Sequence, residues 1–427
     1  MTESVRTAPA GDQLETLVSV LDLVRTGKAR TRPDLGRRSG LGRTVITQRV
    51  QQLIDCGLLE EGALGQSSGG RAPRELRFRT DAGHLLVAEL GATRIKVAVT
   101  DLAGTLLNQE ETAADIARGP EDTLHQVEEM LKAAAAARSA ATPAVWGIGI
   151  SVPGPVEFGT GRTIAPPIMP GWDGYPVRER LAAAFRVPVW VDNDVNLMAL
   201  GELRSGLAQG ECDVVYIKIG TGIGAGLVSG GRLHRGAQGC AGDVGHVAVV
   251  DDTEIVCRCG KTGCLEALAG GAALAREATN AAVSGRSSYL AELIGSDRQL
   301  DARDVSRAAQ HGDPFSVELL TRSGQLVGGM LATLVNFYNP SLIIIGGGVA
   351  ASGDLLLAAI RQAVYRRSLP LATRNLRVMR SPLSDRAGLI GASAMVVDEL
   401  LSQHLLARWI HDASPVGRPE LADARKP

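Results

Sequence analysis

Three of the six cysteines of this chain fall within eight consecutive positions, in the string CRCGKTGCLE at 257–266. Thiols this crowded, with Gly260 and Gly263 between them, permit a tight reversal that brings Cys257, Cys259 and Cys264 together. They are either three buried, inert thiols or the ligands of one metal. Thiolate suits Zn²⁺, which in a structural site takes four ligands in a tetrahedron. His246, in AGDVGHVAV just upstream, is the natural fourth. A closed Cys₃His set leaves no open coordination position, so the expected role is structural rather than catalytic. The compartment agrees with this expectation. The opening MTESVRTAPAGDQLETLV lacks the basic start and apolar core of a signal peptide, and no run of about 18 apolar residues reads as a membrane span. A cytoplasmic protein with reduced thiols and no membrane partner is expected.

The string C-x-C-G-x-x-G-C-x-E, preceded by G-x-x-G-H, resembles the signature of the ROK family (repressors, open reading frames and kinases). The resemblance implies that His246, Cys257, Cys259 and Cys264 hold Zn²⁺ and that the metal fixes a loop presenting sugar-binding residues. Glu266 and His246 would then contact sugar hydroxyls. Asp243 stands where the family has a glutamate, a shorter carboxylate that still accepts hydroxyls.

Other motifs follow in the order this family implies. GHLLVAELGATRIKVAVTDLAGTLL (83–107) reads as a β-meander with strands near 84–90, 94–101 and 104–109. The resemblance places a phosphate loop at ELGAT, with Gly91 and Thr93 near a nucleotide and Glu89 in place of the aspartate that helps hold Mg²⁺. PVWVDNDVNLMALGE (188–202) reads as a buried strand running into a helix that starts near Val195. Asn193 and Asp194 fall at that junction, where open α/β sheets place ligands. Asp194 could equally cap the helix. The resemblance makes Asp194 the general base of a sugar kinase and Asn193 a sugar ligand. Gly220, Thr221 and Gly222 resemble a second phosphate loop, although a tight hairpin also needs glycine. Gly347, after the buried run NPSLIIIG, resembles an adenosine-side loop or serves close helix–strand packing. Met169 replaces an asparagine of the sugar pocket, so sugar selectivity does not carry over. The implied body is α/β and two-lobed, of the actin-like ATPase kind, with lobes at 83–200 and 200–385. A helix at 386–405 would return to the first lobe, followed by a disordered tail at 406–427.

Residues 1–80 precede this body and hold 13 Lys and Arg against 9 Asp and Glu, whereas the remainder holds 32 against 37. A basic N-terminal segment on a chain of net charge −1 points to an anionic partner at that end. Apolar residues at Leu14, Leu17, Val18, Leu21 and Val24 follow helical spacing. Thr31 caps a second helix that stops at Gly40, and a third carries Val45, Val50, Leu53 and Ile54 inward, ending at Gly57. Two strands around a Gly/Ser loop follow over 58–80. The pattern predicts a winged helix-turn-helix, with a small helical interaction module as the alternative. The outward face of the third helix offers Arg43, Thr44, Thr47, Gln48 and Gln51 to a major groove, and the wing offers Arg71 and Arg74. The expected protein is a sugar-responsive, DNA-binding transcription regulator acting as a homodimer or homotetramer on operator DNA, with a sugar or sugar phosphate as effector. An ATP-dependent sugar kinase using ATP–Mg²⁺ is the rival.

Overall fold

A computed structural model describes residues 11–64, 73–137, 144–251, 253–294, 299–350 and 353–423. The N-terminal unit contains α1 (Gly11–Arg25), α2 (Arg32–Ser39), α3 (Arg43–Asp55) and an antiparallel pair, β1 (Leu59–Leu64) and β2 (Arg74–Phe78). Helix α1 turns Leu14, Leu17, Val20, Leu21 and Val24 inward. The Thr31 hydroxyl accepts from the Asp34 N–H at 3.2 Å to start α2, which ends at Gly40 in the left-handed region, φ +69°. On α3 the inward set is Ile46, Val50 and Leu53. Val45 and Ile54, expected inside, are only half-buried, because the buried stripe starts one residue later. The wing tip, including Arg71, lies outside the described residues.

The first lobe is a five-stranded sheet. Strands β3 (His84–Leu90), β4 (Arg94–Asp101) and β5 (Leu106–Ala113) form the expected antiparallel meander. After α4 (Pro120–Ala136), strand β6 (Val145–Val152) pairs parallel with β3. A short pair, β7 (Val156–Glu157) and β8 (Arg162–Thr163), and α5 (Val177–Phe185) lead to β9 (Val189–Asn193), parallel to β6. Side chains alternate across the sheet. Leu86, Ala88 and Leu90 of β3 face the α4–α5 layer, while Leu85 and Val87 face the opposite side.

Helix α6 (Asp194–Ser205) leaves β9 and joins the lobes. The second lobe holds β10 (Val214–Ile219), β11 (Ile223–Ser229) and β12 (Arg232–His234), followed by α7 (Leu265–Ala269), α8 (Gly271–Val283), α9 (Ser288–Ile294), α10 (Ala302–Gln310) and α11 (Pro314–Tyr338). Strand β13 (Leu342–Gly346), helices α12 (Asp354–Arg367) and α13 (Pro370–Thr373), and β14 (Arg377–Arg380) complete it, in the sheet order β12-β11-β10-β13-β14. Val195, Met198 and Ala199 of α6 pack on Val214 and Tyr216 of this second sheet. Leu197 and Leu200 join the core of the first lobe. One helix is therefore shared by both lobes.

Helix α14 (Ala387–Leu400) returns to the first lobe and lies against α6, β3 and β6. The α6–α14 contact has no side-chain padding. A Cβ on Gly391 would sit 1.7 Å from the Leu197 carbonyl oxygen, and one on Gly201 would sit 2.2 Å from that of Ala387. The expectation of a disordered tail after 405 is overturned as far as Asp423. Helix α15 (Gln403–Trp409) and two short 3₁₀ turns pack inward, with Trp409, Leu421 and Ala422 buried. The Trp409 indole N–H donates to the Leu400 carbonyl at 2.9 Å, and its ring meets Trp146 edge-on at 5.3 Å. The prolines and charges of this stretch suggested disorder, but its few apolar residues suffice to anchor it. The cores of α1, α14 and α15 form one contiguous apolar cluster.

Candidate functional site

A cleft opens between the two sheets where α6 begins. Its walls include Pro153–Pro155 beyond β6, Asn193 to Asn196, Lys218 at the end of β10, Thr221 to Ala225, the loop 239–243, His246 and Glu266. Asn193, Asp194, Thr221, Gly222, Asp243, His246 and Glu266, all predicted site residues, thus meet in one place. Gly91, Thr93, Gly220 and Gly347 are not among the lining residues, although Ala92 of the β3–β4 turn is. Gly347, at φ +92°, would set a Cβ 2.3 Å from the Ile219 carbonyl oxygen, so close backbone approach alone demands glycine there.

The helix cap is Asn193, not Asp194. Its side-chain oxygen accepts from the Val195 N–H at 2.9 Å and its amide donates to the Gly154 carbonyl at 3.0 Å. Asp194 is left free of capping and is almost fully buried. Its carboxylate is paired with the Lys218 ammonium. Burial alone would lower the pKa of Lys218, but Asp194, Glu89 and Glu266 more than offset it, so the ammonium form is favoured. The neighbouring Asp192 accepts from Asn196 at 2.9 Å and from Arg235 at 2.8 Å. Arg235 comes from the second lobe and lies 3.8 Å above the Phe158 ring of the first, so it acts as a clasp between the lobes. Glu266 accepts from the Ile223 N–H at 3.0 Å, which aims its carboxylate into the cleft.

Glu89 is buried behind this floor. Burial raises its pKa, and Lys96 and Lys218 only partly counter that. One of its carboxyl oxygens has no hydrogen-bond partner and packs at Gly388, where a Cβ would come within 2.2 Å of it. The longer acid in place of aspartate is accommodated by a glycine at the start of α14.

His246 and the three cysteines gather on the rim. Their ligand atoms all lie within 4.8 Å of one another. Cys257 Sγ is 3.4 Å from His246 Nδ1, and Cys259 Sγ is 3.7 Å from Cys264 Sγ. A tetrahedral ion with Zn–S near 2.3 Å and Zn–N near 2.0–2.1 Å requires edges of about 3.6–3.8 Å. The donor set and its spacing fit a metal ion. Holding one through Nδ1 leaves the other ring nitrogen of His246, 4.0 Å from Asp243, free for the cleft.

In the N-terminal unit, Arg43, Thr44, Thr47, Gln48 and Gln51 lie together on the exposed face of α3. Thr47 donates to the Arg43 carbonyl at 2.9 Å and Gln51 to Asp55 at 2.8 Å. Arg74 is exposed and pairs with Glu61 at 3.3 Å. The sequence expectations missed Lys218, Asn196 and the Asp192–Arg235 pair. A lysine inside the apolar strand VVYIKIG was the available signal for the first.

A two-lobed α/β body of this topology, with a ligand cleft at the lobe junction and a winged helix-turn-helix in front, defines a sugar-kinase-like regulator fold. The chain belongs to the ROK family, which residues 86–399 match. It is 30% identical over 383 residues to the xylose repressor of Caldicellulosiruptor bescii, covering 90% of this chain and 95% of that one. The crystal structure of a ROK family transcriptional regulator, a homologue of the E. coli MLC protein, superposes with a TM-score of 0.79 at 26% identity, covering 94% of this chain and all of that one. A ROK family glucokinase from Streptomyces griseus, solved with glucose and AMPPNP, matches 73% of this chain and 99% of its own, at 32% identity and a TM-score of 0.64.

Proposed function

We propose that this protein is a sugar-responsive transcriptional repressor that binds operator DNA through α3 and the wing and binds its effector sugar in the cleft. The observation that carries this reading is the physical link between the two sites. The first turn of α6 lines the cleft, and its last turn holds Arg204, which pairs with Asp398 of α14 at 2.5 Å. The same Asp398 oxygen pairs with Arg25, in the last turn of α1, at 3.0 Å. Helix α6 has 12 residues, a span of about 18 Å. Because α6 and α14 touch backbone to backbone, a shift at the cleft end is not absorbed by soft side chains. Similarity over 90% of the chain to a repressor and 94% to a regulator supports the same conclusion, since the glucokinase match covers only 73% of it.

In this reading Arg43, Thr44, Thr47 and Gln48 face the major groove and Arg71 the backbone or minor groove. Two half-sites imply a homodimer or a pair of dimers. Asn193, Asp194, Asp243, His246 and Glu266 receive the sugar hydroxyls. His246, Cys257, Cys259 and Cys264 hold a structural Zn²⁺, which would supply cross-linking rather than reaction chemistry. No single helix among the described residues is long and apolar enough to cross a membrane, and we place the protein in the cytoplasm. A residual ATP–Mg²⁺-dependent kinase activity is the second reading, favoured by Asp194 and Thr221–Gly222 sharing the cleft. Gly91, Thr93, Gly220 and Gly347 would serve the nucleotide. Glu89, buried and with its pKa raised by that burial, argues against Mg²⁺ handling there.

The deciding experiment selects binding sites from a random DNA pool, then measures operator affinity by fluorescence anisotropy with and without xylose, glucose and their phosphates. Selective DNA binding that a sugar weakens is expected. A protein that selects no sequence, or ignores every sugar, refutes the reading.

A further inference from the structure

The cleft contains one feature that neither its sugar-binding nor its nucleotide-binding role explains. Among the described residues that line the cleft, Lys218 is the one Lys or Arg, and its ammonium is bound to Asp194. It stands in the middle sheet strand, next to the glycines of the β10–β11 turn, where a Cβ on Gly220 would lie 3.2 Å from its Cε. Its side chain is 23% exposed and that of Asp194 is 6% exposed, so the pair lies largely out of water but touches the cleft.

Two consequences follow from this placement. A general base must accept a proton on an oxygen lone pair. The Asp194 oxygen that faces Lys218 already accepts from an ammonium, and breaking a largely buried ion pair is costly. The second concerns charge. The lining contains three carboxylates, Asp194, Asp243 and Glu266, and this single ammonium is already engaged. A phosphate ester entering here finds acceptors where it needs donors, while an uncharged polyol offers hydroxyls to each carboxylate. The clasp arginine, Arg235, is likewise committed to Asp192 and Phe158.

We propose that Lys218 makes this cleft a reader of uncharged sugars: it holds Asp194 as a fixed hydrogen-bond acceptor rather than a base and leaves no free Lys or Arg among the described lining residues for a sugar phosphate. The inference rests on the sugar-responsive reading and narrows it. Lys218 is a positioning residue, because it acts on the sugar through Asp194.

The test is calorimetry on the full-length, metal-replete protein with xylose, glucose and N-acetylglucosamine, and with the phosphate ester of each, alongside an ADP-release assay with ATP–Mg²⁺. The expected result is a neutral sugar binding at least about 30-fold more tightly than its phosphate, without enzyme-like turnover. Lys218→Met should weaken that sugar at least about tenfold. In an Asp194→Asn background the same change should cost less than about threefold, because a partner already lost cannot be lost again. A general packing defect would weaken both backgrounds equally, and that outcome overturns the positioning role. Lys218→Arg, which keeps the charge, should recover part of the affinity. Tighter binding of the phosphate ester, or wild-type turnover at rates near 10 s⁻¹, typical of enzymes, overturns the inference while sparing the sugar-responsive reading. Binding of neither sugars nor phosphates sinks both.

Discussion

Replacing Asp398 with alanine should separate sugar binding from DNA response. Asp398 holds Arg25 of α1 and Arg204 of α6 on a single oxygen. Burial works against the Arg25 guanidinium, but Asp398 and Asp22 more than compensate and raise its pKa above the ordinary value. In Asp398→Ala, Arg25 keeps Asp22 at 2.9 Å, whereas no other acid pairs with Arg204 among the described residues. The side chains are 12% exposed for Arg25, 26% for Arg204 and 36% for Asp398. The site therefore falls between exposed pairs, worth about 0.2–1 kcal/mol, and buried ones, whose disruption costs about 3–5 kcal/mol. A loss of about 1–2 kcal/mol in unfolding free energy is expected. The coupling should suffer more than the stability. Effector coupling is typically about 1–3 kcal/mol, or roughly 5–150-fold in operator affinity. If the triad is the main polar tie between α6 and α1, the variant should keep sugar affinity within about twofold while its coupling ratio falls at least about threefold. Anisotropy titrations of operator DNA with and without saturating sugar, at fixed salt, provide the ratio. Asp412→Ala, which breaks an exposed pair with Arg418 at 3.0 Å, is the matched control. An unchanged ratio in a variant that unfolds at lower urea would show that the triad only holds the fold together, and the relay argument would fail.

Four further outcomes follow from the same geometry. Gly391→Ala drives a Cβ to 1.7 Å from the Leu197 carbonyl oxygen, so α6 and α14 must part; urea unfolding should report a loss of about 1–3 kcal/mol or more. Cys259→Ser should abolish stoichiometric zinc, read by elemental analysis, and weaken sugar binding with it; retained zinc would remove the cluster as the metal site. Arg43→Ala should weaken operator binding and reduce the salt slope by about 1; unchanged binding at matched salt would make it surface decoration. Glu89 has a folded pKa raised by burial, so its contribution to stability is full below the ordinary carboxyl range and is lost as pH rises through the folded pKa. Glu89→Gln should therefore gain stability relative to wild type as pH rises above the ordinary carboxyl range in urea titrations, and a difference that does not change with pH would contradict the assignment.

Local chemistry was the most legible part of the sequence. The glycines between Cys257, Cys259 and Cys264, the Thr31 cap and the apolar runs around the Gly91 turn in 84–101 each reflect a constraint acting within a few residues, and the structure follows them. What escaped was set by contacts across the chain. Asn193 and Asp194 are both good caps by type; Asn193 caps, with its amide held by the Gly154 carbonyl of the loop after β6, and Asp194 turns instead to Lys218. The polar tail from 406 looked disordered because its composition is polar on average, while its order depends on Trp409 and Leu421 reaching the core that α1 and α14 share. The same distinction bears on function. Sequence motifs identify a sugar-kinase-like cleft, and in kinase and repressor alike that cleft must grip a sugar. What distinguishes a sensor is whether the grip moves something else. Here Gly201 and Gly391 bring α6 onto α14 with no intervening side chain, and Asp398 ties both helices to α1. Those residues are scattered over positions 25 to 398 with no periodicity to mark them. In the proposed relay, the regulatory character of the body lies in that long-range packing, whereas the cleft motifs taken without the N-terminal unit fit an enzyme as well.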